Sequence, residues 1–308
     1  MEQLRDRILK GDPRAIARAA TLVENRTATP LLRELFPHSG RALVIGVTGA
    51  PGAGKSTFVN QLATLLRKED KRVAIIAVDP TSPYSGGAIL GDRIRMLQHH
   101  ADPGVFIRSM ATRGHLGGLA PAAADMTTLF DAAGCDVIIV ETVGVGQDEV
   151  EVARLADVTL VVLTPNMGDD VQALKAGIME IADVFILNKS DLDGADKLER
   201  ELKASFTLSH RPDGWTPPVV RTIAAEAKGI DEALAAARTY ETTGLGKQKK
   251  GEVWVSRLRE MLRERLLDRY DPEVFEQAAQ KVIAHQTDPY TFIEELLKGA
   301  LLAGPRQR

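Results

Sequence analysis

The stretch GAPGAGKS, residues 49 to 56, restricts what this chain can fold into more than any other. It has the spacing G-x-x-x-x-G-K-[ST], follows the apolar run ALVIGVT and precedes a helical pattern, which is the context in which such a loop wraps phosphate. Glycines let backbone N–H groups turn inward around phosphate oxygens, and the helix start adds the positive end of its dipole. The candidate contacts are Gly49, Ala50, Pro51, Gly52, Ala53, Gly54, Lys55, Ser56 and Thr57, with Lys55 reaching the outer phosphates and Ser56 offering its hydroxyl to Mg²⁺.

Such a loop needs a strand that ends beside others of the same direction. Short Val- and Ile-rich runs recur at RVAIIAVD, GVFIRSM, CDVIIVET, VTLVVLT and DVFILNK, spaced widely enough for helices between them. The expected fold is therefore α/β, a mainly parallel sheet with helices on both faces, over residues 41–240. Ahead of it, DPRAIARAATLVENR has an Asp-Pro start and helical spacing, so residues 1–40 read as a helical extension. Residues 241–252, ETTGLGKQKKGE, hold three glycines and three lysines and read as a linker. Residues 253–308 place apolar side chains at three- and four-residue spacing with no strand signal, and so read as a helical arm that needs a surface to pack on.

Carboxylates at strand ends are candidates for a magnesium site beside triphosphate. Asp79 ends VAIIAVD and Glu141 stands next to last in DVIIVET; by type and position each is either a ligand or a carboxylate solvated at a strand end. Asp92, in GGAILGDRIRM, is either a metal-site residue or a helix N-cap, and Arg93 and Arg95 are either phosphate neutralisers or exposed helix arginines. Farther on, ILNKSD sets Asn188, Lys189 and Asp191 after an apolar run in the pattern N-K-x-D. A carboxylate there accepts from both N1–H and the N2 amine of guanine, donors that adenine lacks in that arrangement, so the expected nucleotide is GTP or GDP. TIAAEAKGI, 222 to 230, stands where a backbone contact to guanine O6 is expected, through Ile223, Ala224 and Ala225.

These segments resemble the MeaB/ArgK G proteins, which accompany adenosylcobalamin-dependent acyl-CoA mutases. The resemblance spans nearly the whole chain and is carried by GAPGAGKST, VDPTSPYSGGAILGDRIRM, IVETVGVGQDE, NMGDDVQALKAGIMEIADVFILNKSD and DPYTFIEELL. It implies a P-loop GTPase that gates adenosylcobalamin delivery to its mutase and protects that enzyme. It also implies three switch segments, at 79–92, 141–149 and 166–180. By resemblance Ser56, Asp79, Asp92 and Glu141 surround Mg²⁺ or the γ-phosphate, with Lys55, Asp92 and Glu141 as the catalytic set. Gln172 and Lys175 on the third segment are implied to carry nucleotide state to the mutase, although by sequence alone Lys175 is an exposed helix lysine. The C-terminal arm is implied to form a homodimer. One departure stands out: Ile223-Ala224 replaces the Ser-Ala of the family's guanine loop, which removes a hydroxyl that steadies it.

A P-loop kinase acting on a small molecule is a competing reading, but no separate acceptor motif is visible. A metal-insertion GTPase is another, and would want His or Cys clusters where the chain offers His99, His100 and His115. With 39 basic and 42 acidic residues there is no electrostatic footprint for nucleic acid. No run approaches the ~20 apolar residues of a membrane span. The single cysteine fits a reducing compartment, and the N-terminal pattern lacks the marks of a targeting leader, so a cytoplasmic location is expected.

Overall fold

The structure is a computed structural model that describes residues 2–79, 99, 101–111, 120–142, 148–165, 180–208 and 211–302. The apolar runs form strands: β1 (Leu43–Thr48), β2 (Val73–Asp79), β3 (Val105–Ala111), β4 (Val137–Thr142), β5 (Val158–Leu163) and β6 (Val184–Leu187). A short β7 (Val219–Arg221) completes a seven-stranded sheet in the order β3-β2-β4-β1-β5-β6-β7, and the recorded pairs are all parallel. Strands this buried on both sides carry Val and Ile without polar alternation, which is why they stand out in the sequence.

Helices cover both faces. On one face α4 (Lys55–Lys68) and α8 (Ile230–Thr242) bury Phe58, Val59, Leu62, Leu234 and Ala237 against Ile45, Val47, Ile75, Leu160 and Ile186. On the other, α5 (Ala120–Ala132) and α6 (Asp148–Leu155) cover Val44, Ile76, Ile138 and Val140, and α7 (Ala195–Leu208) covers Val161 and Phe185. The N-terminal extension joins this second layer as α1 (Glu2–Leu9), α2 (Pro13–Glu24) and α3 (Thr29–Leu35). Asp12 caps α2 by accepting from the N–H groups of Arg14 and Ala15, with Pro13 at the first helical position. Ile8, Ile16, Ala19, Leu31 and Leu35 enter the core, and Arg108 of β3 pairs with Glu24 of α2 at 2.7 Å.

At the end of the sheet where the strands begin, aspartates join neighbouring strands. Asp136, Asp157 and Asp183 each stand one residue before a strand and accept from the backbone N–H of Arg72, Val44 and Thr159 respectively, at 2.8, 2.9 and 2.9 Å. These bonds satisfy N–H groups that the ladder leaves over at strand starts. Cys135 lies buried next to this row, and burial pushes its thiol up to about 12, so it is an inert core residue.

The stretch 241–252, expected as a linker, is helical apart from a turn at Thr243-Gly244, where Gly244 takes φ 75°. Helix α9 (Leu245–Leu267) starts there. Leu245 packs on the core under α8, and Lys249 and Lys250 pair with Asp183 and Asp157. Two of the three lysines that gave the segment its linker-like composition are thus ion-pair donors to aspartates distant in sequence.

The chain divides into two compact units, Met1–Val253 and Trp254–Arg308. Within the second, α10 (Pro272–Ile283) and α11 (Pro289–Leu302) are joined by Phe275 against Phe292, ring centroids 6.3 Å apart, and the Tyr270 hydroxyl donates to the Leu296 carbonyl at 2.7 Å. Val255, Leu258, Met261 and Leu262 are exposed, as are Ile293 and Leu297. No helix among the described residues is long and apolar enough to cross a membrane.

Candidate nucleotide site

The site is built at the ends of β1, β4 and β6, where this class of open sheet places ligands. After Thr48 the chain turns through Gly49 to Gly54 and enters α4 at Lys55. Gly49 takes φ 137°, and a Cβ there would lie 2.1 Å from the Val162 carbonyl oxygen of β5. Gly54 takes φ 91°, and a Cβ there would lie 2.4 Å from the Asn188 amide nitrogen. Both glycines are therefore required by backbone conformation and by the closeness of the next strands.

Inside the loop, the Lys55 ammonium donates to the carbonyls of Gly49 and Ala50 at 2.7 and 2.9 Å and is nearly buried. Ser56, one residue into α4, donates its hydroxyl to Glu141 Oε1 at 2.6 Å. Glu141, the residue before the last of β4, is only 2% exposed. A serine hydroxyl and a buried carboxylate side by side at a helix N-terminus form a hard-oxygen donor pair suited to Mg²⁺. Asp79 closes β2, whose register sets Ala77 beside Glu141 and Val78 beside Thr142, so its backbone belongs to the same edge of the site. Asp92, Gln172 and Lys175 lie outside the described residues, as do Arg93, Arg95, His100 and His115. His99 is buried, with Nε2 3.2 Å from the Asn60 carbonyl oxygen. Among the described residues no group of three or more His, Cys, Asp or Glu is placed to hold a metal ion.

The base end hangs on one side chain. Asn188, 2% exposed at the end of β6, donates through Nδ2 to the Ala53 carbonyl at 2.9 Å. Its Oδ1 accepts from the Ala224 N–H at 3.0 Å and from the Thr222 hydroxyl at 3.1 Å. Asn188 thereby fastens the phosphate loop to the segment after β7. Lys189, in the left-handed region at φ 53°, adds a second tie by donating to the Gly52 carbonyl at 2.9 Å. Asp191 is exposed two residues farther on. The structure thus brings together Gly49 to Ser56, Glu141, Asn188, Lys189 and Ala224, with Ile223 and Ala225 flanking Ala224.

Thr222 is the residue that sequence reasoning missed. It is 1% exposed, and besides its hydroxyl bond to Asn188 its carbonyl accepts from both the N–H and the hydroxyl of Ser190, each at 3.1 Å. A hydroxyl does steady this loop, one residue ahead of the position where Ile223 stands. Ile223 instead closes the loop with its backbone, bridging Lys228 through N–H to O contacts of 3.1 and 3.3 Å. Thr222→Val keeps shape and removes one hydrogen bond to a buried acceptor, about 1 kcal/mol of positioning. We expect roughly fivefold weaker GTP binding with the phosphate-loop contacts intact, measurable by titration with a fluorescent GTP analogue.

Comparison with known proteins finds relatives over nearly the whole chain. Residues 16–274 match the family model for the methylmalonyl-CoA mutase-associated GTPase MeaB. The chain is 45% identical to a protein of Pyrococcus abyssi, over 99% of this chain and 98% of that one. It is 41% identical to the GTPase ArgK of Escherichia coli, over 85% of this chain and 83% of that one. The crystal structure of an LAO/AO transport system kinase superposes with a TM-score of 0.72 at 31% identity, covering 96% of each chain.

Proposed function

The chain belongs to the family of methylmalonyl-CoA mutase-associated GTPases, and from that premise we propose that it hydrolyses GTP to GDP and phosphate to gate adenosylcobalamin delivery to an acyl-CoA mutase. The observation that carries the base and phosphate roles is the bond from Asn188 to the Ala53 carbonyl, which joins N-K-x-D to the phosphate loop in one site.

In this reading the backbone N–H groups of Gly52 to Ser56 cradle the phosphates, and Lys55 swings its ammonium from the loop carbonyls onto the outer phosphates. Mg²⁺, when bound, supplies charge neutralisation at those phosphates. Ser56 and Glu141 hold the oxygen donors for it, with Asp79 and Asp92 completing the set. Asp191 accepts from the two guanine donors, and Ala224 presents its N–H toward O6. Gln172 and Lys175 carry the nucleotide state to the mutase.

The test is turnover with and without candidate mutases. Because a partner has to complete the catalytic arrangement, hydrolysis alone is expected to be slow and to rise at least about tenfold with the right mutase. A rate indifferent to every mutase removes the gating role.

Structural likeness to a transport system kinase favours a second reading, phosphoryl transfer to a small molecule. GDP formation with no acceptor present counts against it, and a requirement for a small-molecule acceptor supports it. We further propose that the exposed apolar faces around Leu258, Leu262, Ile293 and Leu297 pair with a second copy. Removal of residues 254–308 is then expected to give a monomer by light scattering, and a surviving dimer places the interface in the first unit.

A further inference from the structure

Strands β5 and β6 touch the nucleotide site at one end and helix α9 at the other. At the site end, the Val162 carbonyl of β5 bears on Gly49 closely enough to exclude a side chain there, and Asn188 directly follows β6. At the opposite end, Asp157 directly precedes β5 and Asp183 directly precedes β6. The start of α9 meets both. Gly246 approaches so closely that a Cβ on it would lie 2.5 Å from the Asp157 carbonyl oxygen. Lys250, four residues on, pairs with the Asp157 carboxylate at 2.5 Å, and Lys249 pairs with Asp183 at 3.4 Å. Residues 246, 249 and 250 share one helix face, so a single turn of α9 grips the bases of two strands.

Asp183 is fully buried and also accepts from the Thr159 N–H at 2.9 Å and pairs with Arg211 at 3.2 Å, while its own carbonyl accepts from Trp215 Nε1 at 2.9 Å. A buried carboxylate held by fixed partners cannot shift without altering its longest contact, which is the one to Lys249. The four residues of β6 leave little slack between Asp183 and Asn188.

We propose that the first turns of α9 form a nucleotide-responsive clasp, in which Lys249 and Lys250 register small displacements of β6 and β5 imposed at the phosphate loop and at Asn188. The clasp rests on the GTPase reading, because guanine nucleotide is the ligand that displaces the strands. It gives α9, which continues to Leu267, a route for sensing nucleotide from the side of the sheet remote from the site.

The experiment uses the full-length chain carrying Trp254→Phe, so that Trp215 is the sole tryptophan. Hydrogen exchange over residues 245–253 and Trp215 fluorescence are recorded with GDP, with a non-hydrolysable GTP analogue and without nucleotide, and nucleotide affinity is titrated separately. We expect exchange in that segment to differ about fivefold between the GDP and analogue states, a coupling of ordinary allosteric size. The double variant Lys249→Ala, Lys250→Ala is expected to erase this difference while changing nucleotide affinity and basal hydrolysis less than about twofold, and Lys249→Arg, Lys250→Arg to restore it. If the double variant only raises exchange equally in all three states, the lysines are mooring points and the clasp is refuted. If wild type binds nucleotide with no difference over 245–253, the clasp is likewise refuted while the GTPase reading stands. Failure to bind guanine nucleotide at all refutes both.

Discussion

Asp191→Asn is expected to move base preference from guanine to xanthine. In the proposed base contact the carboxylate accepts from N1–H and N2–H of guanine, and an amide in its place presents at least one donor to a donor. Each mispaired group costs about 1–3 kcal/mol, so two give at least about 2 kcal/mol, roughly a thirtyfold loss of GTP affinity. Xanthine carries a carbonyl in place of the 2-amine and accepts from the new amide. The exposed position of Asp191 means that the fold does not depend on it, while Asn188 and Lys189, which do hold the loops together, are untouched. Competition between GTP, ATP and XTP on both proteins measures the shift, with Mg²⁺ dependence unchanged. Full GTP preference in the variant would remove Asp191 from base recognition.

Lys55→Ala is expected to stop hydrolysis at the phosphate end, lowering turnover by at least about a hundredfold, as loss of one preorganised charge on developing phosphate charge does. The ammonium also bridges the Gly49 and Ala50 carbonyls, so its removal is expected to loosen the loop by about 1–2 kcal/mol without unfolding the sheet. Single-turnover assays together with a denaturant midpoint separate the two effects. Near-normal turnover would mean that Lys55 is a structural strut for the loop.

These residues were legible because their chemistry forces a local pattern. A loop that wraps phosphate needs glycine at fixed intervals, and a strand buried on both faces needs an unbroken apolar run, so β1 to β6 and the phosphate loop can be read directly from the letters. The seventh strand, Val219–Arg221, is too short to make a run, and its arginine faces outward to pair with Asp196 and Glu199. Thr222 gave no signal because a threonine after a strand has many roles, and only the fold carries Asn188 to its hydroxyl. Residues 241–252 misled for the converse reason. Lysines and glycines imply a solvated tether when read alone, yet Gly246 is there for close approach and Lys249 and Lys250 for aspartates roughly 70 to 90 positions earlier. Sequence pattern reports neighbours along the chain, whereas ion pairs across a sheet answer to topology.

The tie from Asn188 to the phosphate loop has a consequence for how ligand fragments bind. If the proposed base and phosphate contacts hold, a tie that fixes the spacing between them makes the site a bivalent receptor whose two halves are already set at one distance. A ligand that spans both halves meets the second at high effective concentration, whereas guanosine or tripolyphosphate alone engages a single half. Affinity for GTP is then expected to exceed what guanosine and tripolyphosphate offer separately, as titration of the three ligands measures. Substituting Asn188 is expected to erode that advantage by letting the halves drift out of register.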